Sequence, residues 1–283
     1  MVFYNILKIN ERKKTIMSFQ FCSISSGSKG NCYFVKAGET VLLIDAGISG
    51  KKIFEGLKAV GVSPEEVDGV LITHEHSDHV KGVKMVCKKS EKALVYANQA
   101  TWDKFVDEKF KDRHRVINTN EKFYINDIEI MPFSIHHDAV EPVGYSITYK
   151  DRKLSVVTDT GHISDEIYEE IKDADLLVLE SNHEVNVLKM CSYPYKTKMR
   201  ILGDYGHLSN VAAAQCLCDI LEDECNKQQC KTVLLAHLSK ENNTPGMAKL
   251  AMKNILEERG LLSSEKVNLE VITQDKQSEI YTV

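Results

Sequence analysis

Several features that would mark common protein classes are missing from this chain of 283 residues. No apolar run approaches the roughly 20 residues that a membrane-spanning helix needs. No Cys-x-x-Cys pair occurs. The eight cysteines (Cys22, Cys32, Cys87, Cys191, Cys216, Cys218, Cys225, Cys230) have no regular spacing and follow no export signal, which argues against a disulfide framework and predicts reduced thiols in a cytoplasm. Neither sign of charge dominates: 41 Asp and Glu face 36 Lys and Arg, a formal net charge of -5. That balance argues against wholesale coating of nucleic acid and leaves room for a local basic groove. No internal repeat, low-complexity tract or Pro/Gly-rich linker divides the chain, and a hydrophobic content of 43% supplies a sizeable core, so a single domain is expected over 17–283. Residues 1–16 precede a second methionine, Met17, and read as an extension from an upstream start; a short extra strand or amphipathic anchor is the alternative.

What the sequence does contain is strand-like runs rich in β-branched and aromatic residues, predicted at Phe19–Ser23, Tyr33–Lys36, Thr40–Ile44, Val70–Ile72, Ala93–Tyr96 and Ile128–Phe133, then at Gly144–Tyr149, Leu154–Val157, Leu176–Leu179, Thr232–Leu235 and Asn268–Ile272. Helical periodicity is predicted between them at Ile53–Val60, Val80–Cys87, Gln99–Asp107, Val211–Leu221 and Met247–Glu258. The alternation points to a layered mixed α and β domain. From about Glu184 to Tyr205 clean periodicity gives way to polar and aromatic residues, which predicts a lid or substrate-facing segment.

The densest chemistry follows the buried run Val70-Leu71-Ile72: Thr73-His74-Glu75-His76-Ser77-Asp78-His79. In an extended segment His74 and His76 share a face, and a turn at Ser77 directs Asp78 and His79 towards a second centre, so these ligands can nucleate two adjacent metal sites. A solvated polar loop is a poor account of such crowding when the chain holds ten histidines. An inert structural zinc is a poor one too, because such sites favour Cys ligands and closed coordination.

This His-x-His-x-Asp-His pattern behind a hydrophobic strand resembles the signature of the metallo-β-lactamase superfamily. The resemblance implies an α+β fold of four layers, αβ/βα, with two mixed β-sheets face to face and helices outside. It also implies that His74, His76 and His137 hold one divalent ion, that Asp78, His79 and His237 hold the other, and that Asp159 bridges them. For the third histidine, alternation along Phe133, Ile135 and His137 favours His137 over its neighbour His136. The ligand set suits zinc, manganese or iron.

Three further segments narrow the chemistry. Ser25-Ser26-Gly27-Ser28-Lys29-Gly30-Asn31-Cys32 is either a phosphate-contacting loop or a tight turn between strands. Leu177-Val178-Leu179-Glu180-Ser181-Asn182-His183 is a buried strand ending in polar groups, and Gly206-His207-Leu208-Ser209-Asn210 opens a helix for which Ser209 or Asn210 is an N-cap. With Ala236-His237-Leu238-Ser239, these motifs resemble in order the nuclease branch of the superfamily, and most of Ser18–Val283 resembles its compact YycJ (WalJ) subfamily, described as DNA exonucleases acting from 5′ ends. The resemblance implies a hydroxide between the metals as nucleophile, Asp78 orienting it, and His207, held by Glu180, as the acid that protonates the leaving oxygen. Ser26, Asn31, His183 and Asn210 are then expected against the substrate, DNA before RNA. Tyr193, Tyr195, Lys196, Lys198 and Arg200 interleave aromatic faces with cations, read either as contacts to a strand or as a solvated surface. The rival functions are a small-molecule hydrolase of cyclic phosphodiesters, thioesters or lactones, an RNA-processing nuclease, and a non-catalytic protein that keeps its metals.

Overall fold

A computed structural model describes residues 19–105, 108–223, 231–263 and 266–283. The proposed extension at 1–16, Cys225 and Cys230 lie outside the described residues. The six described cysteines are free thiols, five of them buried. Among the described residues no helix is long and apolar enough to cross a membrane.

Among the described residues fourteen strands form two seven-stranded sheets. In spatial order the first is β14 (Tyr281–Thr282), β1 (Phe19–Ser25), β2 (Cys32–Ala37), β3 (Thr40–Ile44), β4 (Gly69–Leu71), β5 (Leu94–Ala97) and β6 (His114–Val116). The second is β13 (Val267–Val271), β12 (Lys231–Ala236), β11 (Leu176–Glu180), β10 (Arg152–Val157), β9 (Val143–Tyr149), β8 (Ile128–Ser134) and β7 (Phe123–Ile125). Each sheet is mixed in the same way: an antiparallel meander leads into four parallel strands, β3 to β6 in one and β10 to β13 in the other. The eleven predicted strands are all present. The three that the sequence did not reveal, β6, β7 and β14, are edge or near-edge pieces of two or three residues, too short to carry a period.

Three apolar layers explain the architecture. Phe21, Tyr33, Leu42 and Ile44 from one sheet meet Ile128, Ile147, Val156, Val178 and Leu234 from the other between the sheets. Outside the first sheet, Ile53 and Leu57 of α1 (Gly50–Ala59), Val83 and Val86 of α3 (Val83–Lys89) and Trp102 of α4 (Gln99–Phe105) cover Phe34, Leu43 and Val70. Outside the second, α5 (Asp165–Ile171), α8 (Asn210–Glu222) and α9 (Pro245–Glu258) cover Val157, Leu179, Val233 and Leu235. The parallel strands are therefore buried on both faces, which is why Leu176–Leu179 and Val233–Ala236 read as unbroken apolar runs rather than alternating ones. This is the four-layer αβ/βα fold expected from the sequence.

The sheets deliver polar residues to one end of the sandwich. Asp45 follows β3, His74 follows β4 by three residues, His137 follows β8 by three, Asp159 follows β10 by two, Glu180 closes β11, and His237 follows β12. Asp45, Asp159 and His237 have φ of 58°, 61° and 53°, a left-handed conformation that costs a non-glycine residue of order 1 kcal/mol and turns each side chain out of its strand. Three such residues at one sheet end mark a functional rim.

Candidate metal centre and active site

The short helix α2 (Ser77–Val80) begins directly after His76, so Asp78 lies in its first turn and His79 in its last. The chain thereby brings His74, His76 and His137 together, with one ligand atom of each within 4.8 Å of the others. Asp78, His79 and His237 form a second such group, and His74, His79 and Asp159 a third that joins the two. All seven residues expected as ligands converge on one pocket.

Hydrogen bonds fix which ring nitrogen each histidine offers. His79 Nδ1 donates to Asp45 Oδ2 at 2.7 Å, His137 Nδ1 to the carbonyl of Gly206 at 3.3 Å, and His237 Nδ1 to Glu180 Oε1 at 2.9 Å. His74 Nδ1 donates to Thr73 Oγ1 at 3.0 Å, and that hydroxyl donates in turn to Asp45 Oδ2 at 2.9 Å. Asp45 therefore sets the tautomer of His79 directly and of His74 through Thr73. In all four rings Nδ1 is held against an acceptor and Nε2 is the nitrogen left to face the pocket, the arrangement found behind metal-binding imidazoles.

The bare atoms fit divalent cations. His74 Nε2 and His76 Nδ1 face each other at 3.1 Å, a spacing that suits two ligands of one ion. Asp159 Oδ2 and His237 Nε2 are buried and have no hydrogen-bond partner, which is costly unless something else satisfies them. The donors are imidazole nitrogens and carboxylate oxygens, the set used by open hydrolytic metal sites. The clusters bind divalent metal.

The charges agree with this. Burial drives the His74 imidazole well below its ordinary pKa, with the neighbouring His79 adding to the effect, so it offers a neutral ring. Burial also opposes protonation of His79 and His237, but Asp45 and Asp159 around the one, and Asp159 and Glu180 around the other, raise both to about 9. Burial would raise Asp159; the imidazoles of His237 and His79 outweigh it and hold the carboxyl well below its usual range. In the ion-free pocket two protons thus occupy the place of cations.

Glu180 is completely buried and has four N–H donors. Oε1 accepts from His207 Nδ1 at 2.8 Å and His237 Nδ1 at 2.9 Å; Oε2 accepts from the backbone of Thr160 at 2.8 Å and Leu208 at 3.3 Å. Burial alone would raise its pKa, yet His207 foremost, then His237, hold it at about 2. His207 therefore keeps Nδ1 protonated and points its remaining nitrogen away from the carboxylate, one ring away from the ligand His237 at a centroid distance of 5.3 Å.

The four residues expected against the substrate are all buried beside the ligand cluster. Ser26 Oγ accepts from the backbone of His237 at 3.0 Å and bonds Tyr33 Oη. Asn210 is spent on Ser181 and Asn243. Asn31 is buried with its amide nitrogen 3.1 Å from His79 Nε2 and its oxygen accepting from Gly27 N. His183 is buried with both ring nitrogens unpartnered, and burial lowers its pKa to about 4. The loop 25–32 is bonded to the loop that carries Asp78: Asn31 N donates to Asp78 O and Gly47 N to Asn31 O. Ser209 is the cap of α8, accepting from Ala212 N. His136 does point elsewhere, stacked on His162 at 4.0 Å.

Comparison with known proteins agrees with the geometry. A model of the β-lactamase superfamily domain matches residues 40–224. The chain is 39% identical over 252 residues to the exodeoxyribonuclease YycJ of Bacillus anthracis, covering 86% of this chain and 91% of that protein. The chain belongs to the YycJ/WalJ branch of the metallo-β-lactamase superfamily. The exodeoxyribonuclease WalJ of Streptococcus pneumoniae serotype 2 is 36% identical over 250 residues, 87% of this chain and 91% of its own length. Among solved structures the metallo-β-lactamase fold protein YhfI from Bacillus subtilis superposes with a TM-score of 0.69 at 17% identity, covering 94% of this chain and all of that one, a likeness of fold alone. Within this branch of the superfamily, sequence reasoning missed Asp45 and Thr73. The signal for Asp45 was present, since Leu42-Leu43-Ile44-Asp45-Ala46-Gly47 is a buried strand ending in an acid, the same context that singled out Asp159.

Proposed function

We propose that this member of the YycJ/WalJ branch is a metal-dependent exonuclease that hydrolyses DNA from 5′ ends. The observation that carries phosphodiester cleavage is the Glu180 carboxylate shared by His207 and His237 at 2.8 and 2.9 Å. It places a proton-donating histidine at a fixed position beside the metal pocket, and only a poor leaving group such as a sugar alkoxide requires one. Relatives named as exodeoxyribonucleases at 36–39% identity, over about nine-tenths of their length, support DNA as the polymer.

In this reading His74, His76 and His137 would hold one divalent ion, Asp78, His79 and His237 would hold the other, and Asp159 would complete the donor set; zinc or manganese suits the donors. Bound there, such ions supply Lewis acidity, lowering the pKa of water towards ~7 and drawing charge from phosphate oxygens. The protein's own residues do the rest. Asp78, on the open side of the pocket, orients the attacking water. His207 protonates the departing oxygen through Nε2, while Glu180 fixes its tautomer and balances its charge, a contribution of about 10² to 10⁴ in rate. Asp45 and Thr73 hold the imidazoles in the tautomers that leave Nε2 free.

The test is digestion of DNA labelled at the 5′ end, against DNA labelled at the 3′ end, with Mn²⁺, Zn²⁺ or Mg²⁺. Short labelled products are expected early from the 5′-labelled strand. No release with any of the three ions would refute the proposal, and early release only from 3′ ends would refute its polarity.

A further inference from the structure

Between Glu180 and His207 the chain leaves the sheet and forms a two-helix hairpin, α6 (Val185–Met190) and α7 (Tyr195–Leu202). Its composition is one-sided in charge. From Val185 to Gly203 there are four cations, Lys189, Lys196, Lys198 and Arg200, and no Asp or Glu, in a chain of net charge -5. Only Leu188 and Ile201 turn inward. Met190 is 87% exposed and Tyr195 78%, with Met199 and, just beyond the hairpin, Tyr205 also large, apolar and open to solvent. Isolated exposed apolar side chains are ordinary; four within sixteen residues, interleaved with cations, are not.

The hairpin is also fixed to the metal pocket. Arg200 NH1 binds Asp138 Oδ2 at 2.6 Å, and Asp138 adjoins the ligand His137. The backbone N–H of His207 donates to Ile201 O at 3.0 Å, and the Gly206 carbonyl accepts from His137 Nδ1. Lys198 Nζ pins the two helices by donating to Lys189 O at 2.8 Å. Lys189 and Lys196 are exposed, and among the described residues neither pairs with an acid. Hence the two free ammonium groups and the open tyrosine and methionine faces belong to a rigid surface that ends at the proton-donating histidine.

We infer that this hairpin is the docking surface for single-stranded DNA, with Lys189 and Lys196 meeting phosphates and Tyr195 stacking an unpaired base, so that the strand reaches the metal pocket along α7. Charge complementarity selects a polyanion, and the aromatic face selects one with unpaired bases, since paired bases hide theirs. The inference rests on the nuclease reading and names how that site recognises its substrate.

The experiment measures binding of a cleavage-resistant phosphorothioate oligothymidylate to the metal-loaded protein by fluorescence anisotropy, alongside digestion of ordinary DNA by the same preparations. For Lys189→Ala/Lys196→Ala, two lost phosphate contacts should flatten the salt dependence by about 0.7 each in log–log slope, so the affinity drop between 50 and 200 mM salt shrinks by about sevenfold. Tyr195→Ala should weaken single-strand binding by about 5- to 100-fold and duplex binding far less. Thermal melting checks that the variants are folded. Lys58→Ala/Lys253→Ala, exposed positions on α1 and α9, should change neither affinity nor slope. Wild-type affinity and slope in the hairpin variants, from a protein that digests DNA, would overturn the docking surface and leave the nuclease reading standing. The predicted binding losses in a protein that leaves DNA intact would sustain the docking surface and remove the nuclease reading.

Discussion

Replacing Glu180 with Gln separates the two jobs that one carboxylate performs. The native side chain has four acceptor positions filled by four N–H donors, two from imidazoles and two from the backbone of Thr160 and Leu208. A glutamine offers a single acceptor oxygen and an amide NH₂. If the oxygen keeps the backbone donors, the NH₂ faces His207 and His237 and forces both rings to move their proton to Nε2. His237 then cannot ligate through Nε2, and His207 loses the charge that stabilises its protonated form. Two bonds to a charged acceptor, each worth about 1.5–3 kcal/mol, disappear, so the ion-free protein should lose about 3–6 kcal/mol of stability. Metal affinity should fall about 10- to 100-fold, as for other groups that orient a ligand from behind. At saturating metal the rate on DNA should still fall about 10²- to 10⁴-fold. His207→Ala is the partner experiment: it should lower DNA cleavage by a similar factor, retain metal affinity, and lose much less on a nitrophenyl phosphodiester, whose leaving phenolate needs no proton. Metal titration with both variants, plus rates on both substrates, reads all of this. Undiminished metal affinity in Glu180→Gln, or equal losses on both substrates in His207→Ala, would refute the reasoning.

Four other outcomes are expected. His79 and His237 stand at about 9 in the ion-free pocket and must lose their protons to bind metal, so binding at pH 7 should release about two protons, measured by calorimetry in buffers of different ionisation enthalpy. Because both pKa values lie above the ordinary histidine value of about 6.5, their contribution to ion-free stability is complete below that pH and is lost as pH rises through about 9; a melting temperature that climbs over this range would contradict it. Asp45→Asn leaves one acceptor oxygen, and when that oxygen keeps the Thr73 donors an amide NH₂ faces His79 Nδ1; metal affinity measured by competition with a chelator should drop about 10- to 100-fold. Gly47→Ala would put a Cβ 1.5 Å from the carbonyl oxygen of Asp78, backbone against backbone, so the ligand turn must shift; a loss of about 1–3 kcal/mol in denaturant unfolding and a metal-poor protein are expected.

The parts of this site that were legible in the sequence are those whose chemistry is local. His74, His76, Asp78 and His79 lie within six residues, and the fold has only to turn once after Ser77 to bring them together. His137, Asp159 and His237 stand within three residues of strand ends; alone each is an ordinary polar residue, and the resemblance in motif order is what singled them out. The groups behind the ligands were not legible, because what defines them is a distance across the fold. Asp45 meets His79 from 34 residues away and Glu180 meets His237 from 57. In sequence a strand-end acid such as Asp45 can be noticed, but not which group it will face. The same limit applies to Ser26, Asn31, His183 and Asn210: the resemblance in motif order singled them out, and sequence does not show that all four are buried. A buried polar group must be satisfied, and here the protein itself satisfies Ser26, Asn31 and Asn210. Glu180 belongs to both categories, a strand-end acid that the motif order singled out for His207 alone. Its contact with His237 links the proton donor to the metal pocket, so the acid step and metal binding cannot be altered independently through that residue.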